Sequence, residues 1–219
     1  MATAISRSDA RRFYDKFGSK QDRQGFYEDA ALASLIELAD FSAAESVFEL
    51  GCGTGRLAER LLSDHLQLSA RYVGIDLSST MVRLARDRLE PFGGRCKIRP
   101  SDGSFEFSRY GGPFDRVLST YVLDLLSVRD IQQCLADARA VTVQGGLLCH
   151  AGLTRGTGPI SRTTSALWTL VHRVNPMLVG GCRPLMLADL IVDVQWRLIH
   201  RRVVVSAGIA SEVVIAEAR

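Results

Sequence analysis

Apolar positions change their period along the chain. Residues 26–41, FYEDAALASLIELADF, place Leu32, Leu35, Ile36 and Leu38 at helical spacing. At Ser46 short apolar runs begin to alternate with amphipathic stretches. SVFEL (46–50), ARYVGID (70–76), RCKIRP (95–100), the start of FDRVLSTYVLDLL (114–126) and GGLLCHAGL (145–153) read as strands. RLAERLLSDHL (56–66), SSTMVRLARDRLE (78–90) and VRDIQQCLADARAVT (128–142) read as helices, the second with Ser78 as N-cap and Pro91 as its stop. Upstream, 6–17 predicts a short charged helix and 18–22 a loop. Strands alternating with helices require crossover connections and so a parallel sheet. The end differs: 196–218 holds two β-rich runs around a turn at 206–211. Their separation is too short for a crossover, so they pair antiparallel. Residues 154–184 are poorly patterned, with one helix expected near 160–174 and a Pro/Gly-rich loop after it.

Composition adds limits rather than detail. The 219 residues are 47% hydrophobic and 23% charged, enough for one sizeable core, and the net charge of +3 is too small for a nucleic-acid footprint. One domain spanning 1–219 is expected, without nucleic acid as partner. No apolar run approaches a bilayer span and the first residues lack a signal-peptide core, so stable membrane insertion is not expected. Five scattered cysteines without zinc spacing read as free thiols in a reducing, cytoplasmic setting, with no metal site.

The chemistry concentrates in VFELGCGTGRL. Gly51, Gly53 and Gly55 follow the first strand of the alternating region and precede a helix. One glycine would serve a strand-to-helix turn; three alternating ones suit a ligand lying against bare backbone. Ligands of open α/β sheets bind at these strand ends. A phosphate loop needs a lysine that is absent here, and a dinucleotide cradle needs a third glycine where Arg56 stands. The second strand ends in Asp76. A carboxylate there can grip both hydroxyls of a ribose; it could also be an acid at the start of the next helix. A ribose-bearing ligand without a pyrophosphate fits both the glycines and the acid.

VFELGCGTG, YVGIDLSSTMVRLAR and FDRVLSTYVLDLL resemble the motifs of class I S-adenosylmethionine-dependent methyltransferases of the small-molecule type. The resemblance spans roughly 26–153. It implies a Rossmann-like three-layer α/β sandwich, with a seven-stranded, mostly parallel sheet and an antiparallel last strand. It implies S-adenosylmethionine as cofactor and S-adenosylhomocysteine as product. Carried over by motif, Glu49 orients the glycine loop, Gly51, Cys52, Gly53 and Gly55 surround the methionine and ribose, and Asp76 takes the ribose hydroxyls. Leu77 packs on the adenine, Asp102 accepts from its amino group, Gly103 lets the ring lie close, and Ser119 offers backbone to the methionine part. Cys52 can also be read as packing. Residues 1–41 would form helices folded over the cofactor, and 154–184 a substrate-pocket insertion between strands five and six. Tyr14 and Tyr27 are then lid and substrate contacts, or simple packing.

In-line methyl transfer needs alignment more than it needs a strong catalyst. Candidate bases are His150, His172 and Tyr121, each with a structural alternative; Asp124 is placed with the acceptor. The sequence after the fourth strand, STYVLD, lacks the Asp/Asn-Pro-Pro-aromatic signature of enzymes that methylate adenine or amide nitrogens. A small-molecule acceptor is therefore expected, with Arg183 the candidate among Arg155, Arg162, Arg173 and Arg183 for an anionic group. The alternatives are a lipid-headgroup N-methyltransferase at a membrane surface and a cofactor-binding protein that transfers nothing. The chain is expected to be a monomer or homodimer.

Overall fold

The computed structural model describes residues 4–191 and 194–219. Strands β1 (Ser46–Leu50), β2 (Arg71–Asp76), β3 (Cys96–Pro100), β4 (Phe114–Thr120), β5 (Thr142–Leu153), β6 (Trp196–Ser206) and β7 (Ile209–Ala218) form one sheet in the order β3-β2-β1-β4-β5-β7-β6. The pairs from β3 to β5 are parallel, while β7 runs antiparallel between β5 and β6. This is the expected seven-stranded sheet with a reversed last strand.

Helices α1 (Arg7–Phe17), α2 (Gly25–Ala39), α3 (Arg56–Asp64), α4 (Ser79–Leu89), α5 (Val128–Ala140) and α6 (Pro159–Val174) surround it. Adjacent strand residues feed two separate cores. Val47, Leu118, Cys149 and Val213 pack with Leu35 of α2, Leu61 of α3 and Ala85 of α4. Phe48, Val117, Leu148 and Val214 pack with Ile131 and Leu135 of α5, beneath Trp196. Both faces of β1, β4 and β7 are covered, which explains why these strands read as continuous apolar runs, whereas the edge strands β3 and β6 are largely exposed.

Local signals set the element ends. Ser6, Ser78 and Ser127 cap α1, α4 and α5, each accepting a backbone N–H two or three residues into the helix. After Leu89 the chain tightens into a 3-10 turn with Pro91 in its first positions. The expected loop at 18–22 is a 3-10 helix, Gly18–Gln24. The 206–208 turn carries Ala207 at φ 49° and Gly208 at φ 78°, the left-handed pair favoured by a tight hairpin.

Candidate functional site

The sheet order reverses between β1 and β4, where successive crossovers leave in opposite directions. A cleft with a cavity of about 130 Å³ opens there, at the carboxyl ends of β1, β2 and β4. Leu50, Gly51, Asp76, Leu77, Gly103, Thr120, Tyr121 and Val122 line its floor.

The glycines are explained by geometry. Gly51, Gly53 and Gly55 have φ of 74°, 53° and 79°. A Cβ on Gly51 would lie 2.2 Å from Cγ2 of Val122, and one on Gly53 would lie 2.9 Å from Oε1 of Gln21. Gly55, at the start of α3, serves the fold instead, as its Cβ would meet Ala85 and Leu89 of α4. The loop is anchored from β2: the N–H groups of Gly51 and Cys52 both donate to the carbonyl of Ile75. Asp76 completes the anchor, its Oδ2 accepting from Gly53 N at 2.9 Å and its Oδ1 from Ser78 N at 2.8 Å. Burial pushes its pKa up to about 6, against the pull of those two N–H groups and with the aid of Asp15 nearby. Each oxygen keeps a further lone pair beyond these bonds, and the residue lines the cleft.

The N-terminal segment forms the roof. Ile5, Arg7, Ala10, Arg11, Tyr14 and Gln21 line the cleft from above. Two carboxylates latch this roof to the floor. Asp15 accepts from Ser78 Oγ (2.6 Å) and Thr80 N (3.2 Å) at the start of α4. Asp22 accepts from Thr54 Oγ1 (2.6 Å) and from Arg88 (2.7 Å). Between them the Gln21 amide lies against Gly53 with its Oε1 buried and without a partner. A buried acceptor left unpaired costs about 1–3 kcal/mol, so a donor from a bound molecule fits there. The bare glycine backbone, the Asp76 carboxylate and this orphaned amide together suit a nucleoside with a zwitterionic tail.

Residues 47–146 match the family model described as Methyltransferase domain. Over these residues, just under half of the chain, the sequence is similar to methyltransferase domains. A curated relative, the tRNA N(3)-methylcytidine methyltransferase Mettl2 of Drosophila melanogaster, is 27% identical over 64% of this chain and 46% of its own length. A second, the demethylmenaquinone methyltransferase of Tropheryma whipplei, is 27% identical over 64% of this chain and 57% of the relative. This chain thus spans about half the length of the curated relatives it matches. Among solved structures, the N-methyltransferase NodS from Bradyrhizobium japonicum WM9 in complex with S-adenosyl-L-homocysteine superposes with a TM-score of 0.65, at 18% identity over 87% of each chain.

Around this cleft, several residues expected at the site lie elsewhere. Asp102 points outward, half exposed, paired with Arg109 at 2.8 Å and capping Ser104 N. Its neighbours Ser101, Gly103, Ser104 and Phe105 line the cleft in its place. Glu49 is buried behind the loop and accepts from the Tyr72 hydroxyl; burial pushes its pKa up to about 8. Cys52 is sealed in the core against Gly74. Ser119 is buried and its carbonyl faces His150, so the cleft meets Thr120 and Tyr121 instead.

Two of the expected bases, His150 and His172, lie outside the cleft lining. His150 is 2% exposed, with Nδ1 3.0 Å from the Ser119 carbonyl, and burial drops its pKa to about 4. It is a neutral core histidine. His172 faces inward from α6 onto the Gly181 carbonyl at 3.1 Å. Tyr121 does line the cleft, at φ 54° with its N–H donating to Ala151 and its hydroxyl 2.9 Å from Ser211 Oγ. Burial raises its pKa far above neutrality, so it is a phenol that can position but not deprotonate. Tyr14 lines the roof; Tyr27 packs edge-on against Tyr121, outside the cleft wall.

Asp124 and Arg183 lie behind the cleft lining, held by backbone groups. Asp124 is fully buried, its Oδ2 accepting from Leu153 N, its Oδ1 unpartnered, its pKa pushed up to about 6 by burial. Arg183 is also buried and spends its guanidinium on the carbonyls of Asp124 and Leu126. It ties the 180–183 loop under the turn that presents Leu125 and Leu126 to the cleft. Gln21 is the site residue that sequence reading missed. A polar residue in an unpatterned five-residue stretch carries no signal until the roof is folded down.

Proposed function

We propose that this chain transfers a methyl group from S-adenosylmethionine to a small-molecule acceptor. The observation that carries the reading is Asp76, a half-buried carboxylate at the end of β2 that holds the glycine loop and lines the cleft. The donor supplies an electrophilic methyl on a cationic sulfur. Gly51 and Gly53 let its tail lie on the backbone, Asp76 takes the ribose hydroxyls, and Leu77 and Gly103 flank the adenine. Gln21 accepts from the amino-acid end.

The remaining wall, Ile5, Tyr14, Tyr121, Leu125 and Leu126, is apolar and aromatic and suits a small planar acceptor. Among the described residues that line the cleft, Asp76 is the one carboxylate, and no histidine, cysteine or lysine joins it. The chain therefore contributes alignment and exclusion of water, and the acceptor's nucleophile arrives deprotonated. Residues 5–22 act as the lid, latched through Asp15 and Asp22, whereas α2, expected with them, is packed in the core through Leu32, Leu35 and Ile36.

Two measurements test this. Calorimetry should detect S-adenosylhomocysteine binding, and radiolabel from the donor should appear in low-molecular-weight acceptors from a metabolite extract. Binding with label only in tRNA would move the acceptor to nucleic acid. Binding with no transfer to any pool would favour a cofactor-binding protein that is not a methyltransferase.

A further inference from the structure

Helix α6 is inverted. Its inward face carries Ser161, Ser165, Trp168 and His172, tied to the Gly156 N–H and to the Cys182 and Gly181 carbonyls. Its outward face carries Ile160, Leu167, Leu170 and Val174, exposed by 77, 60, 58 and 78%, and Leu178 follows at 71%. The four helical residues fall within about 80° of one another on a 3.6-residue wheel. Phe26 extends the surface: Ser206 binds its carbonyl, and Gly208 of the same turn sits against Ile160. A helix that turns serines to the core and leucines to water has its apolar face reserved for something outside the chain.

Charge says what that partner is. Between Asp137 and Asp189 the sequence holds no carboxylate side chain, while Arg139, Arg155, Arg162, Arg173 and Arg183 fall there. Arg155, Arg162 and Arg173 are exposed, and none is ion-paired with a described carboxylate. Arg162 and Arg173 lie about 60–80° from the edge of the apolar stripe, where a long side chain reaches phosphate while its stem stays on the acyl boundary. A second copy meeting α6 on α6 would set arginine against arginine with no acid in the segment to offset them.

We infer that the outward face of α6 docks on an anionic lipid surface. The helix lies in the interface plane with Ile160, Leu167, Leu170 and Val174 dipped below the headgroups and Arg162 and Arg173 at the phosphates. The loop that follows α6 is the one Arg183 ties beneath Leu125 and Leu126, so the docked helix holds the acceptor end of the cleft near the bilayer. The docking itself stands independently of methyl transfer.

Co-sedimentation of the full chain with vesicles tests it. The protein should pellet with equimolar phosphatidylcholine and phosphatidylglycerol and stay in solution with phosphatidylcholine alone. Leu167→Glu with Leu170→Glu should weaken binding by about tenfold or more, and Arg162→Glu with Arg173→Glu comparably, with melting temperature and S-adenosylhomocysteine affinity unchanged. Failure to pellet with anionic vesicles overturns the inference. So does light scattering that shows a dimer in the parent and a monomer in the leucine variant, which assigns the face to a second copy. Calorimetry on the same samples reads the cleft separately.

Discussion

Asp76 makes the cofactor reading quantitative. Its pKa of about 6 in the free protein arises because burial outweighs the two N–H groups that favour the charged form. A carboxylate must be ionised to accept from both hydroxyls of a ribose while also serving Gly53 and Ser78. At about pH 5 roughly a tenth of the molecules carry that charge, and apparent affinity scales with the competent fraction. The dissociation constant for S-adenosylhomocysteine should therefore rise about tenfold from about pH 7 to about pH 5. Asp76→Asn keeps the shape but can accept through one oxygen only. It should bind about 10–100-fold more weakly at pH 7, from the ~1–3 kcal/mol of an unmet buried hydrogen bond, and its affinity should be nearly flat with pH. Calorimetry between about pH 5 and 8 reads both, and thermal melts confirm that the variant is folded. Wild-type affinity independent of pH, or an Asn variant that binds as well as wild type, would remove Asp76 from the ribose.

Three further outcomes follow from the same geometry. Gly51→Ala places a methyl 2.2 Å from Val122 at a left-handed φ; it should cost about 2–4 kcal/mol in urea unfolding, with part restored by adding Val122→Ala. Gln21→Ala should weaken S-adenosylhomocysteine severalfold, about 1 kcal/mol, yet leave 5′-methylthioadenosine, which lacks the amino-acid end, unchanged in the same titration. Asp124 has a raised folded pKa, so its contribution is intact below about pH 4 and is lost as pH rises through about 6. Asp124→Asn should then stabilise the fold by about 1–3 kcal/mol at about pH 8 and by little at about pH 4, measured by urea unfolding at both.

The legible parts of the site are those where the backbone itself sets the requirement. Gly51 and Gly53 adopt positive φ beside a close approach, which only glycine does cheaply, and Asp76 terminates a strand whose end is fixed by its own pattern. The sheet was legible for a similar reason. Strand runs, serine caps and the short connection before β7 are local, and a parallel sheet with one reversed strand is nearly their sole arrangement. Side-chain direction was not legible. β5 is buried on both faces, so no polar alternation marked which way His150 points; its register against Ser119 turns it into the core. Asp102 and Gly103 are neighbours in sequence, yet a turn sends the acid to Arg109 and the glycine to the cleft. Gln21 gained its position when Asp15 and Asp22 latched the roof, and Arg183 its role when a loop sixty residues downstream met the 124–126 turn. The sequence by itself determined the sheet, the glycine loop and the acid that ends β2, because each follows from conformations the local chain permits. The tertiary structure alone decided which polar groups face the cleft, because that depends on contacts between segments far apart along the chain.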